Sequence, residues 1–174
     1  MSYSDYMTGM QKDDSAVGPA GLILAYEQGI EALREAVAGM TAEQILARPI
    51  AGKWSTIEVV SHVADTEIYF SDRIERTPAL ERPLLMGVDE RPYPARLNYQ
   101  SFDLNEQLDL FRALRKHVAR ILRGQPPEAW QRTAIHSETG LVTVRQLVLQ
   151  ATRHARHHLP FIAEKRAALA GSQP

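Results

Sequence analysis

The chain contains no cysteine among its 174 residues. This absence excludes disulfides, thiolate metal ligands and a cysteine nucleophile. Any bound metal must therefore be held by histidine, carboxylate or backbone oxygen. Long apolar runs are also missing, since none approaches the roughly 18 residues that a transmembrane helix needs. Residues 1–15 have no apolar core and no small-residue cleavage site, so we predict no signal peptide.

An excess of charge of one sign is missing as well. The formal net charge is -1, so we predict no binding to nucleic acid or to an anionic membrane. The apolar fraction of 44% and the charged fraction of 24% are ordinary for a globular protein. The length suits one domain, and the lack of cysteine fits the cytoplasm. We predict a mobile arm at 1–18, a single domain at 19–170 and a tail at 171–174.

Apolar residues recur at helical spacing in four segments, and no segment shows the alternation typical of a strand. Two of the segments open with a capping box, Ser55 to Glu58 and Thr143 to Gln146. The pattern predicts an all-α protein, a four-helix bundle with helices over about 19–38, 55–77, 103–123 and 143–170.

The connection between the second and third helices is long. It runs from Pro78, which we expect to end the second helix, to Gln100, and it contains three further prolines and Gly87. We predict a crossover without regular structure, of a length that suits parallel neighbouring helices.

Three of the six histidines lie within five residues of the fourth helix, at His154, His157 and His158. His154 and His158 are four apart, so they share one face and have the spacing of helical metal sites. A helical wheel places His158 inside the apolar stripe, His154 at its edge and His157 outside it. Ala155 stands where a zincin-type metalloprotease has its glutamate, which excludes that activity.

A third metal ligand must come from another helix. His62 is the best candidate, although the wheel places it at the margin of the apolar face; His117 and His136 are possible substitutes. Glu58, Asp65 and Glu67 are candidates for ligands or for acceptors that orient an imidazole. A solvated acidic face is the commoner explanation of such carboxylates.

Two stretches resemble the DinB-like superfamily. The segment Gly52-Lys53-Trp54-Ser55 with His62 resembles the start of its second helix, where a glycine-tryptophan pair and a capping residue precede the first metal histidine. Residues 136–140 and 154–158 resemble the end of the same pattern. The resemblance covers about residues 22–165 and is nearest to the YfiT-like branch of candidate metal-dependent hydrolases. It implies His62, His154 and His158 as metal ligands, a bundle with its metal at one end, and a homodimer.

The resemblance also implies an activity. Some members of the superfamily resemble thiol S-transferases that use bacillithiol or mycothiol, or a mycothiol-dependent isomerase. We therefore expect a divalent-metal-dependent enzyme, a hydrolase or a low-molecular-weight-thiol S-transferase, that acts on a small molecule. Its cofactors would be one zinc or nickel ion per chain and, for the transferase, a thiol. Three imidazoles leave a coordination position open, and Asp65 or Glu67 would orient His62 or move a proton.

Two other hypotheses are compatible with the sequence. The bundle could be a non-enzymatic metal-binding or dimerising module, which a closed site with four protein ligands would indicate. Alternatively, the protein binds no metal and the histidine cluster is incidental.

Overall fold

The computed structural model describes residues 16–171, and helices dominate this part of the chain. Four of them are long, and two are short and lie in the connections between them. The predicted four-helix bundle is confirmed. In chain order the helices are α1 Pro19–Val37, α2 Ala42–Leu46, α3 Thr56–Ala79, α4 Tyr93–Arg96, α5 Leu104–Arg123 and α6 Val144–Ala170.

Both predicted capping boxes start a long helix. The Glu58 backbone N–H donates to Ser55 Oγ, and Glu58 Oε2 accepts from the Ser55 N–H at 2.7 Å. Thr143 and Gln146 make the same reciprocal pair at the start of α6. Burial alone would raise the pKa of Glu58, but hydrogen bonds from Arg48 and Ser55 outweigh it and lower that pKa to about 2. The start of α3 is therefore held by a carboxylate that stays ionised.

The four long helices are not arranged in chain order around the bundle. Helices α1 and α3 occupy opposite corners, because each packs principally against α5 and α6. Glu67 of α3 pairs with Arg115 of α5, and Glu75 pairs with His117. These contacts advance in the same direction along both helices, so α3 and α5 are parallel, as the length of the crossover predicts.

The prediction that residues 78–100 lack regular structure is wrong. Helix α3 continues through Pro78 to Ala79. Pro78 has no N–H to donate, but the Leu80 N–H donates to the Arg76 backbone oxygen at 3.0 Å and keeps the last turn hydrogen-bonded. A short strand, β1 at Leu84–Leu85, then α4, and a 3-10 turn at Tyr99–Ser101 follow. The crossover lies along α3, where the Tyr99 hydroxyl donates to Asp65 and the Tyr69 hydroxyl donates to the Tyr93 hydroxyl at 2.9 Å.

A small three-stranded sheet also corrects the expectation of no strands. Strands β2 Thr133–His136 and β3 Gly140–Thr143 form an antiparallel hairpin, and β1 pairs in parallel with β2. Gly140 has a φ of +76°, which suits a glycine at the end of this turn. Strands of two to four residues are too short to show a period of two in the sequence.

The core extends along the bundle in two clusters of buried side chains. One cluster contains Leu22, Tyr26, Phe70 and Trp130, and the other contains Leu33, Val63, Phe111, Ala155 and Ile162. Within the described residues, no helix is both long and apolar enough to cross a membrane. The predicted arm and tail fall largely on residues 1–15 and 172–174, which lie outside the described residues, so the domain boundaries stay a prediction.

Candidate metal centre

Three histidine side chains from two helices converge inside the bundle. His62 comes from α3, and His154 and His158 come from successive turns of α6. They are 5%, 7% and 8% exposed, respectively. His154 Nε2 lies 3.2 Å from His62 Nε2 and 3.2 Å from His158 Nε2. All three contribute ring nitrogens that lie within 4.8 Å of one another. The structure thus brings together the three histidines that the sequence analysis selected.

Aromatic neighbours cover the histidines and fix the planes of their rings. The Trp54 ring, just before α3, has its centroid 5.1 Å from that of His62. Phe70 lies 5.7 Å from His154, and Phe161 lies 5.4 Å from His158. The Trp54 contact explains why His62 is buried although the helical wheel places it at the margin of the apolar face.

Burial makes all three imidazoles neutral at neutral pH. Burial, with a smaller contribution from neighbouring histidines, lowers the pKa of His62 to about 4 and that of His158 to about 2. The pKa of His154 is also well below its usual range, for the same reasons. No aspartate or glutamate of the described residues belongs to this cluster. Three uncharged imidazole rings therefore face one another as candidate metal ligands.

This arrangement fits a metal ion. A tetrahedral site with metal–nitrogen bonds of about 2.0–2.1 Å separates its ligand nitrogens by roughly 3.3–3.4 Å, close to the 3.2 Å measured here. Neutral imidazole is a common ligand for zinc and nickel. The lowered pKa values keep each imidazole neutral, and a neutral imidazole has one unprotonated ring nitrogen whose lone pair can bind a cation.

The alternative histidine ligands lie elsewhere. His117 is exposed on α5, with its Nε2 3.4 Å from Glu75. His136 is buried on β2, where its Nδ1 accepts from the Glu138 backbone N–H at 3.3 Å. His157 is exposed, as its position outside the apolar stripe predicts. None of these three is part of the cluster.

The candidate carboxylates have other contacts. Asp65 accepts a hydrogen bond from Tyr99 of the crossover. Glu67 accepts from the Tyr26 hydroxyl and from Arg115 Nε, the latter at 3.0 Å. Glu58 caps α3 and pairs with Arg48. The proposed roles of Asp65 and Glu67 in catalysis stay predictions.

Arg115 lies outside the predicted site residues and holds the helices around the site together. Its side chain is fully buried, pairs with Glu67 and donates to the backbone oxygens of Tyr26 at 2.6 Å and Ala151 at 2.8 Å. Ala151 lies one turn before His154. The hydrogen bond from Arg115 therefore links α5 to the part of α6 that carries His154 and His158. Arg115 lies four residues after Phe111 and three before Val118, within an apolar stripe of α5. A charged residue at such a position is the feature of the sequence that could have indicated its burial.

Glycine at position 29 makes room for this arginine. A β-carbon on Gly29 would lie 2.1 Å from Arg115 Nη1, which is far inside van der Waals contact. The guanidinium also stacks on the rings of Tyr26 and Phe111, at 4.4 and 4.3 Å from their centroids. The close approach of α1 and α5 therefore depends on a residue without a side chain.

The buried histidines predict a pH dependence for the metal-free protein. Unfolded His62 titrates near about 6.5, whereas its folded pKa is about 4. The unfolded state therefore takes up a proton first, and stability that is present above pH 6.5 is lost as the pH falls towards 4. We expect His62 alone to lower the unfolding free energy by about 2 kcal/mol between pH 7.5 and 5.

Urea unfolding of metal-free protein across this pH range measures the effect. A His62→Gln variant, which cannot titrate at this position, should show a shallower dependence than the wild type. Equal slopes for the two proteins would contradict the prediction.

Comparisons with known proteins indicate the family to which the chain is related. A model of the DinB superfamily matches residues 25–162. A candidate metal-dependent hydrolase of Oceanobacillus iheyensis is 26% identical over 130 residues, which cover 75% of each chain. YfiT of Bacillus subtilis, named in the same way, is 25% identical over 133 residues, covering 76% of this chain and 75% of YfiT.

A solved structure shows the same fold. The chain is similar to Bacillus subtilis YfiT, described as a candidate metal-dependent hydrolase with an unusual four-helix bundle topology, with a TM-score of 0.82. The match covers 91% of this chain and 93% of YfiT at 22% sequence identity. At this identity the likeness supports the fold alone.

Proposed function

This chain belongs to the DinB superfamily, and from that premise we propose that it is a divalent-metal-dependent enzyme that hydrolyses a small molecule. The observation that carries the proposal is the convergence of three buried, neutral histidines without a carboxylate. The names of its relatives as candidate metal-dependent hydrolases support the same reaction class.

His62, His154 and His158 would hold the ion, with zinc or nickel as the metals we expect. A bound divalent ion supplies Lewis acidity, which polarises a carbonyl group or acidifies water. The chain contributes pre-formed ligands: burial keeps the imidazoles unprotonated, so no proton has to leave before they bind a cation. The rings of Trp54 and Phe161 shield two of the histidines from water.

Transfer of a low-molecular-weight thiol is the second candidate reaction. A metal held by the three histidines would bind the sulfur of a thiol as the thiolate, the form that attacks an electrophile, and the thiol proton would pass to solvent. Because the chain has no cysteine, the thiol would have to enter with a cofactor.

A non-enzymatic metal site is the remaining alternative. A structural site is closed by four protein ligands, whereas the cluster contains three within residues 16–171. Three protein ligands favour an open coordination position, at which a substrate could bind and react. The homodimer stays a prediction that sedimentation of the purified protein would test.

The test of the proposed function is an activity screen of metal-depleted protein before and after reloading with zinc or nickel. We expect reloading to restore hydrolysis of at least one class in a panel of nitrophenyl esters and anilides. A parallel panel with a small thiol and an electrophilic acceptor tests the transferase reaction. Equal rates without metal, or no turnover by reloaded protein in either panel, would contradict an enzymatic role.

A further inference from the structure

A small hollow lies beside the three histidines. It has a volume of about 250 Å³ and is lined by Gly52, Lys53, Trp54, Val59, Phe161 and Lys165. Pockets for drug-sized ligands usually measure about 300–1,000 Å³. The size therefore suits a small molecule or one end of a larger one.

Two walls of the hollow are in direct contact with the candidate metal centre. Trp54 packs on His62, with ring centroids 5.1 Å apart, and Phe161 packs on His158 at 5.4 Å. A molecule in the hollow would thus be one aromatic ring away from two of the three histidines. This position suits the part of a substrate that is held while a neighbouring bond reacts.

The hollow also contains a buried cation. Lys165 is only 2% exposed, and its Nζ donates to the Phe161 backbone oxygen at 3.0 Å. Within residues 16–171, no carboxylate oxygen lies within 4.0 Å of this ammonium group. An ammonium group has three N–H donors, so two of them have no protein acceptor in the described part of the chain.

The second lysine of the hollow is different. Lys53 Nζ contacts Glu164 at 2.9 Å, and both side chains are about half exposed. The charge of Lys53 is therefore balanced by Glu164 and exposed to water. Burial lowers the pKa of Lys165, whereas the charges of Glu164 and Glu58 act in the opposite direction. An incoming anion would favour the charged form of Lys165 in a desolvated setting, where a charge-assisted hydrogen bond is strong.

We propose that this hollow binds the anionic end of the substrate, a small organic carboxylate whose apolar or aromatic portion packs between Trp54 and Phe161 while its carboxylate pairs with Lys165. The inference rests on the proposed function, since it assigns a substrate class to the same centre. It predicts selectivity for acidic over neutral molecules of the same shape.

The test compares phenylacetate with phenylacetamide as ligands of the metal-loaded, full-length protein. Titrations followed by calorimetry and by tryptophan fluorescence should give at least a tenfold tighter dissociation constant for phenylacetate. Lys165→Met, which keeps the length of the side chain and removes its charge, should abolish the preference. Lys116→Met, an exposed lysine of α5, is the matched control and should keep it.

Two further variants keep the test decisive. Lys165→Gln retains a donor without the charge and replaces Lys165→Met if that variant does not fold. Trp54→Phe should remove the fluorescence response to phenylacetate, because the other tryptophan, Trp130, lies in the core. No preference in the wild type, or an unchanged preference in the Lys165 variants, would overturn the proposal.

Failure of this inference can be distinguished from failure of the proposed function. Metal content and hydrolysis of a neutral ester report on the centre alone. Protein that binds metal and hydrolyses the neutral ester, yet shows no preference for phenylacetate, contradicts only the anionic substrate. Protein without metal or turnover that still binds phenylacetate through Lys165 contradicts the enzyme and retains the anion site.

Discussion

Replacement of His154 by alanine is expected to abolish stoichiometric metal binding. Wild-type protein should hold about one divalent ion per chain after reloading and dialysis. His154 is the central member of the cluster, because its Nε2 lies 3.2 Å from the Nε2 atoms of both other histidines. Loss of an outer-shell partner alone weakens metal sites by about 10- to 100-fold, so loss of a ligand should exceed about 100-fold.

Elemental analysis and competition with a chromogenic chelator measure this effect. His117→Ala is the matched control, since it removes an exposed histidine of α5 that lies outside the cluster. It should bind metal like the wild type. Full metal content in His154→Ala, or equal losses in both variants, would show that the cluster is not the metal site.

The second large effect concerns the buried ion pair between Glu67 and Arg115. Glu67→Ala should lower the free energy of unfolding by about 3–5 kcal/mol, because it leaves a buried guanidinium without its counter-ion. The side chains of Arg115 and Glu67 are 0% and 2% exposed. The same substitution removes the acceptor of the Tyr26 hydroxyl. Urea unfolding of metal-free protein at neutral pH is the measurement.

A double variant makes this prediction specific to the ion pair. Glu67→Leu combined with Arg115→Met removes both charges, and we expect it to be more stable than Glu67→Leu alone or Arg115→Met alone. Glu81→Ala, in the exposed pair with Arg132, is the control and should change stability little. A double variant whose loss equals the sum of the single losses would contradict a coupled pair.

Local sequence signals accounted for the helices and for part of the candidate site. A capping box needs residues only three apart, so Ser55 with Glu58 and Thr143 with Gln146 could be recognised directly. The pairing of His154 with His158 follows from one turn of helix. Periodicity placed His62 only at the margin of its apolar face, and the resemblance to the family supported its selection as the third member.

Other features depend on partners that are distant in the chain. The short strand β1 forms because Leu84 and Leu85 pair with β2, about fifty residues later. Burial of His62 requires Trp54 and helix α6, and the wheel of α3 alone does not show it. The buried position of Arg115 becomes favourable only through a carboxylate that is 48 residues away.

The sequence by itself determined the class of the protein, the caps and spans of its long helices, and the shared face of His154 and His158. These features arise from hydrogen bonds and side-chain spacings within one helical turn. The tertiary structure alone decided the opposite corners of α1 and α3, the course of the crossover and the hollow beside the histidines. Such features arise when side chains far apart in the chain pack together, and short-range periodicity carries no information about which of them meet.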